Sequence, residues 1–218
     1  MKNLDQRNQI IEFSLKLNST NLSPLRSGNI SLRAKEDDMD GYLITPSGKK
    51  YDSLKPENII FMGLNEEPEN NDSGNKPSSE WRFHRDIYLN KKDAQAIVHA
   101  HSPHATAVSS HGKSIPPFHY MIALAGGEDI KCSEYATFGT KELSDNVINA
   151  LTNRSACLMS NHGQVAFGKN LEEAFELAQE IENICQQYII ALKIGEPKIL
   201  SFEEMKKVLD KAKNYKKG

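Results

Sequence analysis

The chain has 218 residues, 38% of them hydrophobic and 26% charged, with a net charge of −2. That is enough for one sizeable core, and residues 1–218 read as a single domain. There is no overall basic field, so nucleic acid is not an expected partner. No apolar run approaches the ~18 residues of a membrane span, and the N-terminus has no apolar signal-like core. Cys132, Cys157 and Cys185 are odd in number and far apart, which suits reduced thiols and a cytoplasmic location.

Taken in order, residues 4–18 carry apolar side chains at positions 4, 10, 11, 13, 15 and 17, a helical pattern. Ile30 and Leu32 alternate with Ser31 and Arg33 and read as a strand, with Gly28-Asn29 at its entrance. That pair fits either a tight turn or an anion contact. Residues 36–41 read as a hairpin turn, and 42–45 as a strand running into Thr45-Pro-Ser-Gly48, which fits a β-turn or a phosphate cradle. Residues 59–62 are a further strand, and the polar residues 65–76 an exposed loop.

Ser78 or Ser79 is the expected N-cap of a helix through Tyr88, with Glu80 in its first turn. Trp81, His84 and Tyr88 share a face with Phe83 and Ile87 beside them, so His84 is expected to be packed inward. A helix start flanked by hydroxyls also attracts anions. The apolar run Ala96-Ile-Val98 leads as a strand into His99 and His101, where Pro103 stops it. On a strand, residues i and i+2 point the same way, about 6–7 Å apart, whereas on a helix they diverge by roughly 200°. The two imidazoles are either incidental or half of a metal site.

Residues 105–110 read as a helix of small side chains. Residues 115–127 begin extended, turn helical near His119 and stop at Gly126-Gly127. Residues 130–132 and 135–138 read as short strands or extended loop. Thr140 caps a helix through Leu151. Strands at 156–159 and 164–167 flank Ser160-Asn-His-Gly163, so His162 also stands at a strand end. A long amphipathic helix covers 171–194, and Ser201-Phe-Glu-Glu opens a last one. Three histidines and a glutamate suit Zn²⁺ with an exchangeable position, and hydroxyl-rich turns beside them suit a sugar phosphate.

The set Gly28-Asn29, Thr45-Pro-Ser-Gly48, Pro77-Ser-Ser-Glu80, His99-Ala-His101 and Asn161-His-Gly163 resembles the class II aldolase family of the fuculose-phosphate aldolase type. Ser78-Ser-Glu-Trp-Arg-Phe-His84, His119-Tyr-Met-Ile-Ala123, Ala125-Gly-Gly127 and Tyr135-Ala-Thr-Phe-Gly-Thr140 look like further family runs, in order, over almost the whole chain. The resemblance implies an α/β fold, a three-layer α/β/α domain around a central, largely antiparallel sheet. It implies one Zn²⁺ per subunit held by His99, His101, His162 and Glu80, and a substrate phosphate held by Gly28, Asn29, Ser47, Gly48, Ser78 and Ser79. Glu80 would also be the acid/base. Tyr120 would reach a neighbouring subunit's site in a homotetramer, Phe138 would lie near the aldehyde end, and Tyr215 would close over the site. Arg26 stands where a small hydroxyl residue is expected, which leaves it outside the site.

The implied reaction is cleavage of a ketose 1-phosphate, such as L-fuculose 1-phosphate, to dihydroxyacetone phosphate and an aldehyde such as L-lactaldehyde. A 5-deoxypentulose 1-phosphate is an alternative substrate. A pentulose-5-phosphate 4-epimerase would usually carry aspartate at the position of Glu80. A methylthioribulose-1-phosphate dehydratase shares the histidines, and an adducin-like interaction domain lacks them.

Overall fold

The middle strand of the sheet, β4 (Ala96–Ala100), is buried along its whole length. The computed structural model describes residues 1–68 and 76–215, apart from the side chains of 213–215. Most of the 65–76 loop and the Tyr215 side chain therefore lie outside the described residues. The other strands are β1 (Asn29–Glu36), β2 (Met39–Ile44), β3 (Ile60–Gly63), β5 (Cys132–Ser133), β6 (Ala156–Met159) and β7 (Gly163–Gly168). They form one sheet in the order β3-β2-β1-β4-β7-β6-β5. Every pairing is antiparallel except β5 with β6, in keeping with the expected sheet.

Helices cover both faces, because the strands alternate their apolar side chains between two cores. Ile30, Leu43, Ala96, Val98, Leu158 and Ala166 face one layer. That layer holds α1 (Leu4–Ser19), α3 (Pro103–Ser109), α5 (Leu171–Ile194) and α6 (Phe202–Tyr215). Tyr42, Ile44, Ile97, Cys157, Met159 and Val165 face the other, with α2 (Trp81–Asn90) and α4 (Lys141–Ala150). His99 follows Ile97 by two residues, so it points to the α2 side.

Several boundaries differ from the sequence reading for local reasons. The first hairpin is tighter than expected. Glu36 pairs with Met39, and Asp37 and Asp38 both take positive φ (47° and 65°), the mirror-image turn that matches strand twist. Strand β4 ends at Ala100, so His101 lies just beyond it. Neither Ser78 nor Ser79 caps α2; Glu80 is the N-cap residue and its side chain makes no cap hydrogen bond. The segment after His119 is a short 3₁₀ helix, Tyr120–Ala125. Thr140 does cap α4, accepting from the Leu143 N–H, and Ser201 accepts from the Glu204 N–H at the start of α6.

Candidate metal centre

The register of the sheet assembles the centre. Asn29 on β1 lies directly opposite His99 on β4, so their side chains stand side by side on the α2 face. On the other flank β6 and β7 form a hairpin in which Met159 pairs with Gly163, leaving residues 160–162 as the loop. Asn161 takes φ 54° there, a left-handed conformation that asparagine tolerates. The turn brings His162 beside His101. Gly163 makes this approach possible, since a β-carbon there would lie 2.4 Å from the Ala100 carbonyl oxygen. Gly28 is similarly constrained, 2.6 Å from the His99 carbonyl oxygen by the same measure.

One ligand atom from each of Glu80, His99, His101 and His162 lies within 4.8 Å of all the others. His99 Nε2 is 3.0 Å from His101 Nε2 and 3.1 Å from Glu80 Oε2. His162 Nε2 is 3.0 Å from Glu80 Oε1. The three rings are nearly perpendicular to one another, with centroids 4.8–4.9 Å apart. His99 donates its Nδ1–H to the Gln164 carbonyl at 2.8 Å, which leaves a lone pair on Nε2 aimed at the common centre.

The electrostatics favour a cation at that centre. Glu80 is 5% exposed. Burial alone would raise its carboxyl pKa, but His99 and His162 beside it hold it well below the usual carboxylate range. Burial, with His99 and His162 close by, lowers His101 to about 3, so it stays neutral and able to coordinate. Glu80 Oε1 is buried and accepts no hydrogen bond of good geometry. A deprotonated carboxylate, an orphaned buried oxygen and converging imidazole nitrogens fit a divalent ion. Three nitrogens and one oxygen suit Zn²⁺.

The centre opens on a cavity of about 300 Å³ lined by Ser27, Ser79, Glu80, His101, Tyr135, Ala136, Phe138, Asn161 and His162. Phe138 is 65% exposed at its rim. Three loops run side by side at one flank. The Ser47 N–H donates to the Lys76 carbonyl, and the Ser78 N–H to the Thr45 carbonyl. Arg26, set aside in the sequence reading, donates from Nη1 to the Gly48 carbonyl at 2.9 Å. Ser47, Gly48, Ser78 and Ser79 are thus neighbours. Ser78 is buried and its Oγ accepts from the Glu80 N–H.

Two expected positions look different in detail. The Asn29 side chain donates to Glu80 Oε2 at 2.9 Å, so at least one of its N–H groups serves the carboxylate. Tyr120 is 54% exposed and does not line the cavity of its own chain. The sequence reading missed Ser27, Tyr135 and Asn161 as lining residues. All three lie inside or next to quoted runs, and only the loop conformation sets them along the cavity. His104 and Asp86 stand apart. His104 Nδ1 pairs with Glu182 at 2.7 Å, and Asp86 accepts from the Ser144 hydroxyl at 2.6 Å.

The profile of the class II aldolase and adducin N-terminal domain matches residues 8–189. The chain belongs to that family. Its class II aldolase relatives include the L-fuculose phosphate aldolase of Escherichia coli K12, 47% identical over 208 residues, covering 95% of this chain and 94% of the relative. The 5-methylthioribulose-1-phosphate/5-deoxyribulose-1-phosphate aldolase of Rhodospirillum rubrum is 44% identical over 209 residues, covering 96% and 91%. Among solved structures, an L-fuculose 1-phosphate aldolase superposes with a TM-score of 0.89 at 37% identity, over 98% of each chain. The three-layer architecture is thus the class II aldolase fold. Among the described residues, no helix is long and apolar enough to cross a membrane.

Proposed function

We propose that this protein is a Zn²⁺-dependent aldolase that cleaves a ketose 1-phosphate between C3 and C4, releasing dihydroxyacetone phosphate and an aldehyde. The observation that carries the reading is the convergence of the Glu80 carboxylate and the His99, His101 and His162 imidazoles within 4.8 Å, at the wall of a cavity. Bound by these four residues, the ion would act as a Lewis acid, drawing charge from the ketose oxygens as the bond breaks.

The chain's own residues supply the rest. Gly28, Asn29, Ser47, Gly48, Ser78 and Ser79 hold the phosphate through neutral N–H and O–H donors, which orients C3 toward Glu80. Tyr120 of a neighbouring subunit in a homotetramer takes the proton of the C4 hydroxyl. The C3–C4 electron pair stays with the three-carbon fragment, and Glu80, which the ketose oxygens would displace from the ion, takes up a proton from solvent and delivers it to C3. The O4 proton passes through Tyr120 to solvent and one solvent proton arrives at C3, so the step balances. In the condensation direction Glu80 is the base, and its low pKa keeps it in that form. Phe138 borders the aldehyde end. No lysine is required.

Three substrates have support from the relatives' names: L-fuculose 1-phosphate, 5-deoxyribulose 1-phosphate and 5-methylthioribulose 1-phosphate. They share C1 to C3 and differ in the aldehyde: L-lactaldehyde, acetaldehyde or methylthioacetaldehyde. The test is a panel of ketose phosphates given to the zinc-loaded protein, scored for dihydroxyacetone phosphate, epimer and dehydrated product. Dihydroxyacetone phosphate release that chelator abolishes and Zn²⁺ restores is the expected result. Full activity in metal-free protein, or epimerisation or dehydration in its place, would overturn the reading.

A further inference from the structure

Behind Glu80, on the side away from the cavity, runs a chain of buried polar side chains. Asn29 Nδ2 donates to Glu80 Oε2 at 2.9 Å. Asn29 Oδ1 lies 2.5 Å from His84 Nε2. Ser31 Oγ lies 2.7 Å from His84 Nδ1 and 2.8 Å from the Tyr88 hydroxyl. None of these five residues is more than 5% exposed. Asn29 and Ser31 alternate on β1, while His84 and Tyr88 are one turn apart on α2. The chain therefore spans the seam between sheet and helix.

Elimination fixes the direction of every bond. An ionised carboxylate can only accept, so the Asn29 amide must turn its nitrogen to Glu80. Its oxygen, also an acceptor, then faces His84, so Nε2 must carry the imidazole proton. A neutral imidazole has one N–H, so Nδ1 accepts from the Ser31 hydroxyl, and Ser31 Oγ accepts from Tyr88. Each donor points toward Glu80, and no link can reverse alone without setting two acceptors against each other.

We infer that His84 is a positioning residue of this site: its Nε2–H latches the Asn29 amide oxygen so that both amide N–H bonds are turned away from His84. One is committed to Glu80. The inference rests on the metal-dependent aldolase reading above. Without the latch, the amide can rotate and press its oxygen against the carboxylate, turning Glu80 from the ligand position.

Zn²⁺ alone, titrated against a chromophoric chelator, provides the main test, with three variants. His84→Phe keeps the ring that stacks on Phe83, with centroids 4.8 Å apart, but has no donor. His84→Gln loses the ring and keeps an N–H donor. His84→Met has neither and matches glutamine in length. The latch requires Zn²⁺ affinity to fall about 10–100-fold in His84→Phe and His84→Met, the usual effect of losing a group that orients a ligand, and to recover in His84→Gln. If His84 serves packing only, the order inverts and His84→Phe is the best binder, which overturns the inference. If the phenylalanine variant does not fold, the glutamine–methionine pair still decides.

The ¹⁵N signature of histidine in metal-free wild-type protein is the second readout. It should assign His84 as the neutral Nε2–H tautomer, and an Nδ1–H tautomer overturns the latch. Wild-type protein that binds no Zn²⁺ would sink the aldolase reading, while the nitrogen signature would still decide the direction of the chain.

Discussion

Replacing Gly163 by alanine is the sharpest single test of how the sheet builds the centre. The added β-carbon would lie 2.4 Å from the Ala100 carbonyl oxygen, and ordinary contact begins near 3.4 Å, a shortfall of 3.4 − 2.4, or 1.0 Å. The blocking atom is backbone of a central strand, which cannot swing aside as a side chain would. The same β-carbon would lie 3.3 Å from the His101 Cα. Strands β4 and β7 must therefore part at the point where His101 and His162 face each other. Overpacking of this kind costs about 1–3 kcal/mol, and a 1 Å misplacement of reacting groups costs roughly a hundredfold in rate. Urea unfolding of the metal-free variant should lose stability in that range, while Zn²⁺ affinity and kcat fall further than the stability loss accounts for. A Gly163→Ala protein with wild-type stability and wild-type Zn²⁺ binding would refute the reasoning.

Glu80→Gln should retain weakened Zn²⁺, because the three imidazoles remain, and should lose exchange of the C3 proton of dihydroxyacetone phosphate with solvent. Unchanged exchange would remove Glu80 as the acid/base. Arg26→Ala should release the contact between the loop before β1 and Gly48, raising KM for the phosphorylated ketose about tenfold, as loss of one hydrogen bond of ~1.4 kcal/mol allows. An equal rise for the unphosphorylated ketose would count against a phosphate-side role. Burial, with His99 nearby, lowers His84 to about 3 from 6.5, so its contribution is whole above pH 6.5 and drains away as pH falls toward 3. At pH 5 that amounts to about 2 kcal/mol, at ~1.4 kcal/mol per pH unit for one proton. Urea midpoints of wild type and His84→Phe at pH 7.5 and 5 should differ in slope by about one proton, and identical slopes would contradict the buried neutral state.

Much of the architecture was legible because its signals are local. The apolar run before His99, the caps at Thr140 and Ser201 and the period of 171–194 each reside in a few consecutive residues. The four centre residues could be named because each lies in a short distinctive run. What stayed hidden depends on pairing between distant segments. The register that sets Asn29 against His99 cannot be read from either strand alone, so the amide looked like a phosphate contact and its tie to Glu80 was not foreseen. His84 was correctly expected to be packed, but packing said nothing of the hydrogen bonds at both ring nitrogens. The hairpin turn expected over 36–41 proved tighter, closing at Asp37-Asp38, because both aspartates adopt positive φ. Arg26 was set aside on residue type, and only the closeness of its loop to Gly48 gives it a partner.

Strand β4 joins the sheet's two halves, with β1 to β3 on one side and β5 to β7 on the other. Glu80 follows the first half in the chain, His99 lies on the seam with His101 just past it, and His162 belongs to the second half. An ion held by all four would therefore act as a rivet between halves that could otherwise breathe apart. Binding only the closed form, it would suppress partial opening there more than fraying at the outer strands. Amide hydrogen exchange along Ala96–Ala100 should slow on adding Zn²⁺ by a larger factor than exchange in β3 or α6. The occupied centre would then set the lifetime of the closed sheet as well as its chemistry.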